Sequence, residues 1–240
     1  IPKELVVPTV LITGANRGIG LELARQYAAA DWRVIATARD VAAATDLAAI
    51  AAKHPKLSID ALDVTDSAAI AALANQHREP LDVLLNNAGW LGDPKQQGIS
   101  ELDIAVFENV MHTNAYAPLA LARAFLPQIE ASVQKKIIVI TSGLSSLTNT
   151  RNFGSLYFYR MSKAAANMAM RALQADLRTK GIQVGILAPG VVDTRLLRQS
   201  GWTGEALDTV SSATGVIRNI ANLKGQDPQI QLYSGEIVPW

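Results

Sequence analysis

The sequence predicts an α/β fold in which a parallel sheet is covered by helices on both faces. Short aliphatic, β-branched runs alternate with longer alanine-rich segments, which is typical of βαβ units. The short runs are continuously apolar rather than alternating, as expected for strands buried on both faces. No linker or repeat divides the 240 residues. We therefore expect one doubly wound domain, with cofactor binding over about residues 1–140 and catalysis over about 141–240.

The candidate strands and helices alternate along the chain, with two helices in succession between the strands at 83–86 and 137–141. The strands are short and β-branched, at residues 9–13, 33–38, 57–62, 83–86, 137–141, 183–188 and 230–233. The helices are longer and alanine-rich, at residues 18–30, 41–53, 66–78, 101–112, 115–132, 156–180 and 205–223. This pattern predicts a seven-stranded sheet.

The composition excludes several classes of function. Charged residues make up 18% and the net charge is +1, so neither a nucleic-acid nor a membrane-surface partner is indicated. There is no cysteine, and the three histidines lack metal-ligand spacing, so no metal site is expected. No apolar run reaches the roughly 18 residues of a membrane span, and the first residues do not resemble a signal peptide. We expect a cytoplasmic protein.

The first strand leads into a glycine loop and then into a helix. Residues 13–20 have the sequence TGANRGIG. Gly14 would allow a tight turn, Gly18 would let the backbone approach a pyrophosphate, and Gly20 would let helix and strand pack closely. The helix amino terminus would face the phosphates. The sequence therefore predicts a Rossmann fold that binds a dinucleotide, although the glycine spacing differs from the commoner Gly-x-Gly-x-x-Gly.

The end of the second strand indicates which dinucleotide is bound. An acidic residue at this position binds the ribose hydroxyls of NAD, whereas an arginine accommodates the extra phosphate of NADP. Arg39 stands at this position, and Arg17 adds a second guanidinium from the glycine loop. Asp40 would either bind the ribose or cap the next helix. We favour NADP(H) over NAD(H).

Tyr159 and Lys163 are four residues apart in a predicted helix, so they share one helix face. An ammonium group near a phenol favours the phenolate. This pair therefore predicts a proton donor and acceptor near neutral pH.

Four motifs in this order resemble the short-chain dehydrogenase/reductase family. They are TGxxxGIG at 13–20, NNAG at 86–89, YxxxK at 159–163, and Pro-Gly at 189–190 followed by Thr194. The resemblance covers essentially the whole chain. The sequences YRMSKAAAN at 159–167 and VPW at 238–240 are most similar to the subgroup of C-factor-like proteins and Sniffer-type carbonyl reductases.

The resemblance implies four catalytic residues. Tyr159 would protonate the carbonyl oxygen, and Lys163 would lower the tyrosine pKa and hold the nicotinamide ribose. Ser142 would hydrogen-bond the substrate oxygen, and Asn114 would order a water leading to Lys163. Ser142 lies 17 residues before Tyr159, which is longer than usual in the family, so Ser146 is a rival. We favour Ser142 because it follows a strand at the edge where ligands bind.

The resemblance also implies which residues line the cofactor cleft. Asp63 would touch the adenine, and Thr194 would bind the carboxamide or the pyrophosphate. The full set is Gly14, Asn16, Arg17, Gly18, Ile19, Gly20, Arg39, Asp63, Val64, Asn86, Ala88, Gly89, Tyr159, Lys163, Pro189, Gly190, Val192 and Thr194.

Apolar side chains beside these motifs predict the substrate class. Trp90, Leu144 and Trp202 would form part of a hydrophobic pocket wall, and residues 191–204 would form a lid. We expect Arg151 to be solvated in a loop rather than to bind an anionic substrate. We expect His112 to be a packed or surface residue rather than a catalytic one. We expect a hydrophobic ketone or aldehyde as substrate.

The resulting hypothesis is an NADPH-dependent carbonyl reductase that also acts in reverse as an alcohol dehydrogenase. The alternative is a dinucleotide-binding signalling protein of the C-factor type with little turnover. By resemblance, helices 115–132 and 156–180 would form the interface of a homodimer or homotetramer.

Overall fold

The computed structural model describes residues 7–150, 154–225 and 227–240. The strands in these residues are, in chain order, β1 Thr9–Ile12, β2 Arg33–Ala38, β3 Leu57–Ala61, β4 Val83–Asn86, β5 Gln97–Gly98, β6 Glu101–Leu102, β7 Lys136–Ile140, β8 Gln183–Ala188, β9 Ile230–Leu232 and β10 Ile237–Val238. The α-helices are α1 Gly18–Ala29, α2 Thr45–Ala51, α3 Ser67–Gln76, α4 Ile104–Met111, α5 Ala117–Ala124, α6 Leu126–Ala131, α7 Tyr157–Leu177, α8 Arg195–Gln199 and α9 Thr209–Asn222.

The main sheet has the order β3-β2-β1-β4-β7-β8-β9-β10. Its neighbouring strands are parallel except that β10 pairs with β9 in the antiparallel sense. The sheet thus has eight strands rather than the predicted seven, because a two-residue edge strand is too short to give a sequence pattern. The order reverses direction between β1 and β4. Open α/β sheets bind ligands beyond the carboxyl ends of the strands at such a point.

Both faces of the sheet are buried, which explains the continuously apolar strands. Along β1, Leu11 belongs to the apolar cluster on one face, whereas Val10 and Ile12 belong to the cluster on the other. Leu121 of α5 and Met170 of α7 cover the first face, and α1 and α9 cover the second. Each fully buried leucine or isoleucine contributes about 1.5–3 kcal/mol to folding.

One predicted helix begins later than expected. The prediction placed it at 101–112, but residues 97–102 contain the hairpin formed by β5 and β6, and α4 begins at Ile104. Asp103 caps this helix, because its carboxylate accepts a hydrogen bond from the Val106 amide at 3.0 Å.

The predicted helix 115–132 is divided. His112–Tyr116 form a π-helical turn, and α5 and α6 are separated at Phe125. Pro127, in the first turn of α6, cannot donate the backbone hydrogen bond that a continuous helix needs there.

Helices α2 and α9 start about one turn after their predicted positions. The Asp40 carboxylate accepts a hydrogen bond from the Ala43 amide at 3.1 Å, in the turn before α2. Asp208 caps α9 by accepting from the Ser211 amide at 2.7 Å. None of the helices in the described parts of the chain is long and apolar enough to cross a lipid bilayer.

Candidate active site

The glycine loop turns tightly between β1 and α1. Gly14 and Gly18 have positive φ angles of 65° and 57°, which non-glycine residues rarely adopt. A Cβ atom at Gly20 would lie 2.4 Å from both the Gly14 carbonyl oxygen and Asn87 Nδ2. Helix and loop therefore approach as closely as the sequence predicts. Asn16 and Ile19 are half-buried within the same segment.

A second loop, after β4, braces the glycine loop. Asn87 Nδ2 donates to the carbonyl oxygens of Thr13 at 2.9 Å and Gly14 at 3.1 Å. The amides of Asn87 and Ala88 both donate to Thr13 Oγ1 at 3.0 Å. Thr13 and Asn87 were not predicted to bind the cofactor, and in the structure their hydrogen bonds are with other parts of the protein. They fix the shape of the loop.

The amino terminus of α1 suits a phosphate. No side chain caps it, and its first turn carries no acidic residue, so its N–H groups and positive dipole end are available to an anion. Burial lowers the pKa of Arg17, and the neighbouring charges of Arg195 and Arg39 lower it further. Two further guanidinium groups thus lie near that of Arg17. Arg195 was not predicted at this site, because it is distant from Arg17 in the chain.

Two buried polar atoms mark the same edge of the sheet. Asn86 Nδ2 donates to the Ile138 carbonyl oxygen at 3.1 Å, but Asn86 Oδ1 and Thr37 Oγ1 have no hydrogen-bond partner in the described residues. Buried polar atoms are normally paired. Unpaired atoms at the ends of β4 and β2, together with the glycine loop and the arginines, fit a bound dinucleotide phosphate and its adenosine.

Asp63 and Asp40 both bond to nearby groups of their own turns. Asp63 Oδ1 accepts from the Thr65 amide at 2.9 Å and from its hydroxyl at 2.7 Å. Val64 is buried in the apolar core. The Asp40 carboxylate accepts from the Ala43 amide, which agrees with the prediction that it caps the next helix. Arg39 is exposed directly after β2.

Tyr159 and Lys163 lie in the first part of α7, and both are almost fully buried. Lys163 Nζ donates to the Ile140 carbonyl oxygen at 2.9 Å and lies 5.8 Å from the centroid of the Tyr159 ring. A Cβ atom at Gly89 would lie 3.5 Å from Lys163 Nζ and 3.4 Å from Asn114 Oδ1. The NNAG loop therefore packs directly against the catalytic candidates.

Burial sets the protonation of this pair. Burial raises the pKa of Tyr159 to about 12, although a hydrogen bond with Ser142 opposes the rise. Burial lowers the pKa of Lys163 to about 8. The expectation that Lys163 brings the tyrosine pKa towards neutrality is wrong for this structure, because removal from water disfavours the phenolate more strongly. At neutral pH the phenol is protonated and can donate.

The two rival serines have different surroundings. Ser142 follows β7, its hydroxyl accepts from the Leu144 amide at 3.2 Å, and it interacts with Tyr159. Ser146 Oγ instead accepts from the Asn149 amide at 3.1 Å and contacts the Trp240 carbonyl oxygen at 3.4 Å. The structure brings Ser142, not Ser146, to the tyrosine.

Asn114 lies in the π-helical turn and is 1% exposed. Its Nδ2 donates to the Trp90 carbonyl oxygen at 2.8 Å and to Ser162 Oγ at 2.9 Å. Its Oδ1 accepts from the Trp90 amide at 2.8 Å. Asn114 thus ties the loop after β4 to helix α7.

Asn167, in helix α7, forms hydrogen bonds with two other side chains. Its Oδ1 accepts from Thr141 Oγ1 at 2.6 Å, and its Nδ2 donates to Ser145 Oγ at 2.8 Å. Ser145 Oγ donates to the Ser142 carbonyl oxygen at 2.6 Å. Asn167 therefore braces the turn that carries Ser142.

An apolar cluster surrounds Tyr159. It contains Leu91 and Leu156, with Leu144 and Leu196 packed against it. Leu156 was not among the predicted wall residues. Two of the predicted wall residues are more peripheral, since Trp90 and Trp202 are 41% and 51% exposed. Arg151 lies outside the described residues.

The segment after β8 returns over the glycine loop. Thr194 caps α8 by accepting from the Leu197 amide at 3.3 Å, and its Cγ2 lies 3.4 Å from the Cβ position of Gly18. Val192 pairs with Leu207 in an isolated bridge.

The start of this segment, at Pro189 and Gly190, contacts helix α9 and the residue after β9. The Pro189 carbonyl oxygen accepts from Ser212 Oγ at 2.8 Å. Gly190 has a φ angle of 90°, and a Cβ atom there would lie 3.0 Å from the Tyr233 ring.

Comparison with known proteins gives concordant matches. A family model described as short chain dehydrogenase matches residues 8–204. C-signal of Myxococcus xanthus is 35% identical over 162 residues, which cover 67% of this chain and 93% of that protein. NADPH-bound carbonyl reductase from chicken fatty liver superposes with a TM-score of 0.89 at 34% identity, covering 98% of this chain and 100% of that one. For carbonyl reductase Sniffer of D. melanogaster the TM-score is 0.87 at 28% identity, with the same coverage.

Proposed function

Since the chain belongs to the short chain dehydrogenase family, we propose that it is an NADPH-dependent carbonyl reductase acting on a hydrophobic ketone or aldehyde. The observation that carries this proposal is the placement of the Tyr159 phenol beside Ser142 and Lys163. Ser142 follows β7, and Tyr159 and Lys163 lie in the first part of α7. The same residues would catalyse the reverse oxidation of an alcohol.

The proposed chemistry follows from these side chains. A dinucleotide held at the glycine loop would supply the hydride. As hydride adds to the carbonyl carbon, the π electron pair moves to oxygen, and two hydroxyl donors stabilise that charge. Ser142 donates a hydrogen bond, and Tyr159 transfers its proton to the oxygen. Lys163, charged below its pKa of about 8, lies beside the phenolate that results.

The preference for NADPH rests on charge. The charges of Arg195 and Arg39 lower the pKa of Arg17, and a phosphate on the ribose would relieve this repulsion. Asp40 bonds to the Ala43 amide, which favours the arginine interpretation over ribose binding by that carboxylate. The similar chicken liver carbonyl reductase was solved with NADPH bound.

The substrate class rests on the apolar cluster. Leu91, Leu144 and Leu156 are grouped around Tyr159, so a substrate carbonyl at the phenol would have aliphatic neighbours. Such surroundings favour a hydrophobic group beside the carbonyl over a charged one.

A homodimer or homotetramer is the proposed assembly. Tyr116 is 54% exposed and lines an apolar groove together with Met111, Leu119 and Ala165. Met168, on α7, is 69% exposed. Exposed apolar groups of this kind mark interaction sites. Sedimentation velocity tests the proposal: a single monomer species at micromolar concentration would contradict it.

The first experiment measures NADPH consumption against aryl ketones, aliphatic ketones, diketones and aldehydes, with Tyr159→Phe in parallel. We expect turnover of a hydrophobic carbonyl that falls by about 10²–10⁴ in the variant, while NADPH still binds. NADPH binding without turnover of any compound would favour the alternative function, a dinucleotide-binding signalling protein. Full turnover by Tyr159→Phe would refute the proposed role of the tyrosine.

A further inference from the structure

Gln97 is a buried polar residue that the sequence analysis did not single out. It is fully buried at the start of β5, between the loop after β4 and helix α7. Its side-chain amide forms three hydrogen bonds with main-chain atoms. A buried amide with this many partners holds them in fixed relation, because losing it would break all three hydrogen bonds at once.

One of these bonds reaches the catalytic helix. The first N–H groups of a helix have no partner within it. Leu156, which precedes α7, has a positive φ of 53° and supplies no side-chain cap. Gln97 Oε1 accepts from the Tyr159 amide at 3.0 Å. A glutamine 62 residues away in the chain thus performs the role that a local serine or aspartate usually has.

The other two bonds reach the pocket wall. Gln97 Nε2 donates to the carbonyl oxygens of Leu91 at 2.7 Å and Asp93 at 3.2 Å. Between them, Gly92 has a φ of 78°, and a Cβ atom there would lie 2.9 Å from Gln97 Nε2. The loop therefore wraps closely around the amide. Leu91 belongs to the same apolar cluster as Tyr159.

We propose that Gln97 is a positioning residue that fixes the backbone of Tyr159 against the pocket wall at Leu91 and so holds the phenol at Ser142. The inference rests on the proposed function, in which Tyr159 transfers the proton. Displacement of a catalytic group by about 1 Å can cost about 100-fold in rate. Gln97 is suited to prevent such a displacement because one rigid amide contacts both the first turn of α7 and the loop that carries Leu91.

The kinetic test compares Gln97→Met with Gln174→Met. Gln174 is a matched control in α7, the helix that carries Tyr159. It is 1% exposed, and its side chain donates to the Ile182 carbonyl oxygen at 2.9 Å and accepts from the Val184 amide at 2.7 Å. Both variants lose buried hydrogen bonds and should unfold at lower temperature. We expect kcat to fall by about 10- to 100-fold only in Gln97→Met, with KM and NADPH affinity changed much less.

A second readout does not require turnover. Labelling with ¹⁵N-tyrosine gives five amide signals, and Tyr159→Phe identifies the Tyr159 signal by its loss. We expect this amide to exchange with solvent slowly in the wild type and in Gln174→Met, and rapidly in Gln97→Met. The wild type alone is also decisive, because Tyr159 must exchange more slowly than Tyr157 at the first position of α7.

The outcomes separate this inference from the proposed function. Equal kcat in Gln97→Met and Gln174→Met, with Tyr159→Phe inactive, would overturn the role of Gln97 and leave the reductase intact. Equal amide exchange of Tyr159 and Tyr157 in the wild type would also overturn it. Full turnover by Tyr159→Phe would instead refute the proposed mechanism.

Discussion

The Lys163 ammonium lies 5.8 Å from the centroid of the Tyr159 ring, and its hydrogen bond to the Ile140 carbonyl oxygen holds it there. Both groups are buried, and burial raises the pKa of the phenol while it lowers that of the ammonium. Near pH 7 the pair therefore consists of a neutral phenol and a charged lysine. This combination suits proton donation.

The pH dependence of reduction follows from the pKa of about 8 for Lys163. Because this pKa is lowered, the ammonium is present below pH 8 and lost above it. We expect kcat for carbonyl reduction to be level below this pH and to decline above it, whereas alcohol oxidation, which needs the phenolate, rises with pH. Steady-state profiles in both directions measure this. A reduction rate unchanged well above pH 8 would contradict it.

Ser142→Ala and Ser146→Ala form a matched pair. Only Ser142 interacts with the Tyr159 phenol, and Ser146 contacts the Trp240 carbonyl oxygen. Removal of one hydrogen-bond donor to a developing oxyanion typically costs about 10²–10³ in kcat. We expect such a loss for Ser142→Ala and little change for Ser146→Ala. The reverse order would assign catalysis to Ser146.

Arg17→Ala and Arg39→Ala should weaken NADPH binding selectively. Arg39 is close enough to Arg17 to lower the pKa of Arg17, and we expect each guanidinium to contact the phosphate that distinguishes the two cofactors. Fluorescence titration should show at least about a tenfold loss of NADPH affinity, lessened by salt, with NADH affinity unchanged. Arg25→Ala is the control, because Arg25 pairs with Glu22 within α1. Equal losses for NADH would argue against phosphate recognition.

Asn167→Ala should affect both stability and rate. It removes the hydrogen bonds of the Asn167 side chain with Thr141 Oγ1 and Ser145 Oγ, which costs about 1–3 kcal/mol of unfolding free energy. The turn with Ser142 loosens, so kcat should fall more than KM rises. Urea denaturation and steady-state kinetics measure the two effects. Asn109→Ala, which removes only an exposed bond to the Ala105 carbonyl, should change neither.

Gly20→Ala should damage the cofactor loop. The added methyl group would lie 2.4 Å from the Gly14 carbonyl oxygen and Asn87 Nδ2, so the loop or the helix must move. Overpacking of this kind costs about 1–3 kcal/mol. We expect a lower melting temperature and weaker NADPH binding. Gly98→Ala, with no atom within 4 Å of its Cβ position, is the control, and equal behaviour of the two would refute the explanation.

Features with a local cause were predictable from the sequence. Continuous apolar runs located the strands of the main sheet because Val10 and Leu11 are buried on opposite faces. The spacing of Tyr159 and Lys163 placed both on one helix, as observed. Strand β10 was missed because two residues cannot show a period.

Features that depend on tertiary contacts were not predictable. Arg195 approaches Arg17 only because the chain after β8 returns over the glycine loop, and Gln97 meets Tyr159 across 62 residues. The predicted direction of the Tyr159 pKa shift was wrong for the same reason, since the Tyr-x-x-x-Lys spacing does not reveal that the phenol is buried.

The π-helical turn at His112–Tyr116 has a consequence for how this segment can evolve. Such a turn accommodates one more residue than an α-helical turn, and this places Asn114 inward while Val110 before it and Leu121 after it both stay buried. Deletion of one residue here would restore a continuous α-helix and keep α5 in phase, because the π-helical turn has one residue more than an α-helical turn. It would, however, remove the widened turn that places Asn114 between Trp90 and Ser162. A descendant that shortened this segment would keep its helix packing and lose the position of Asn114.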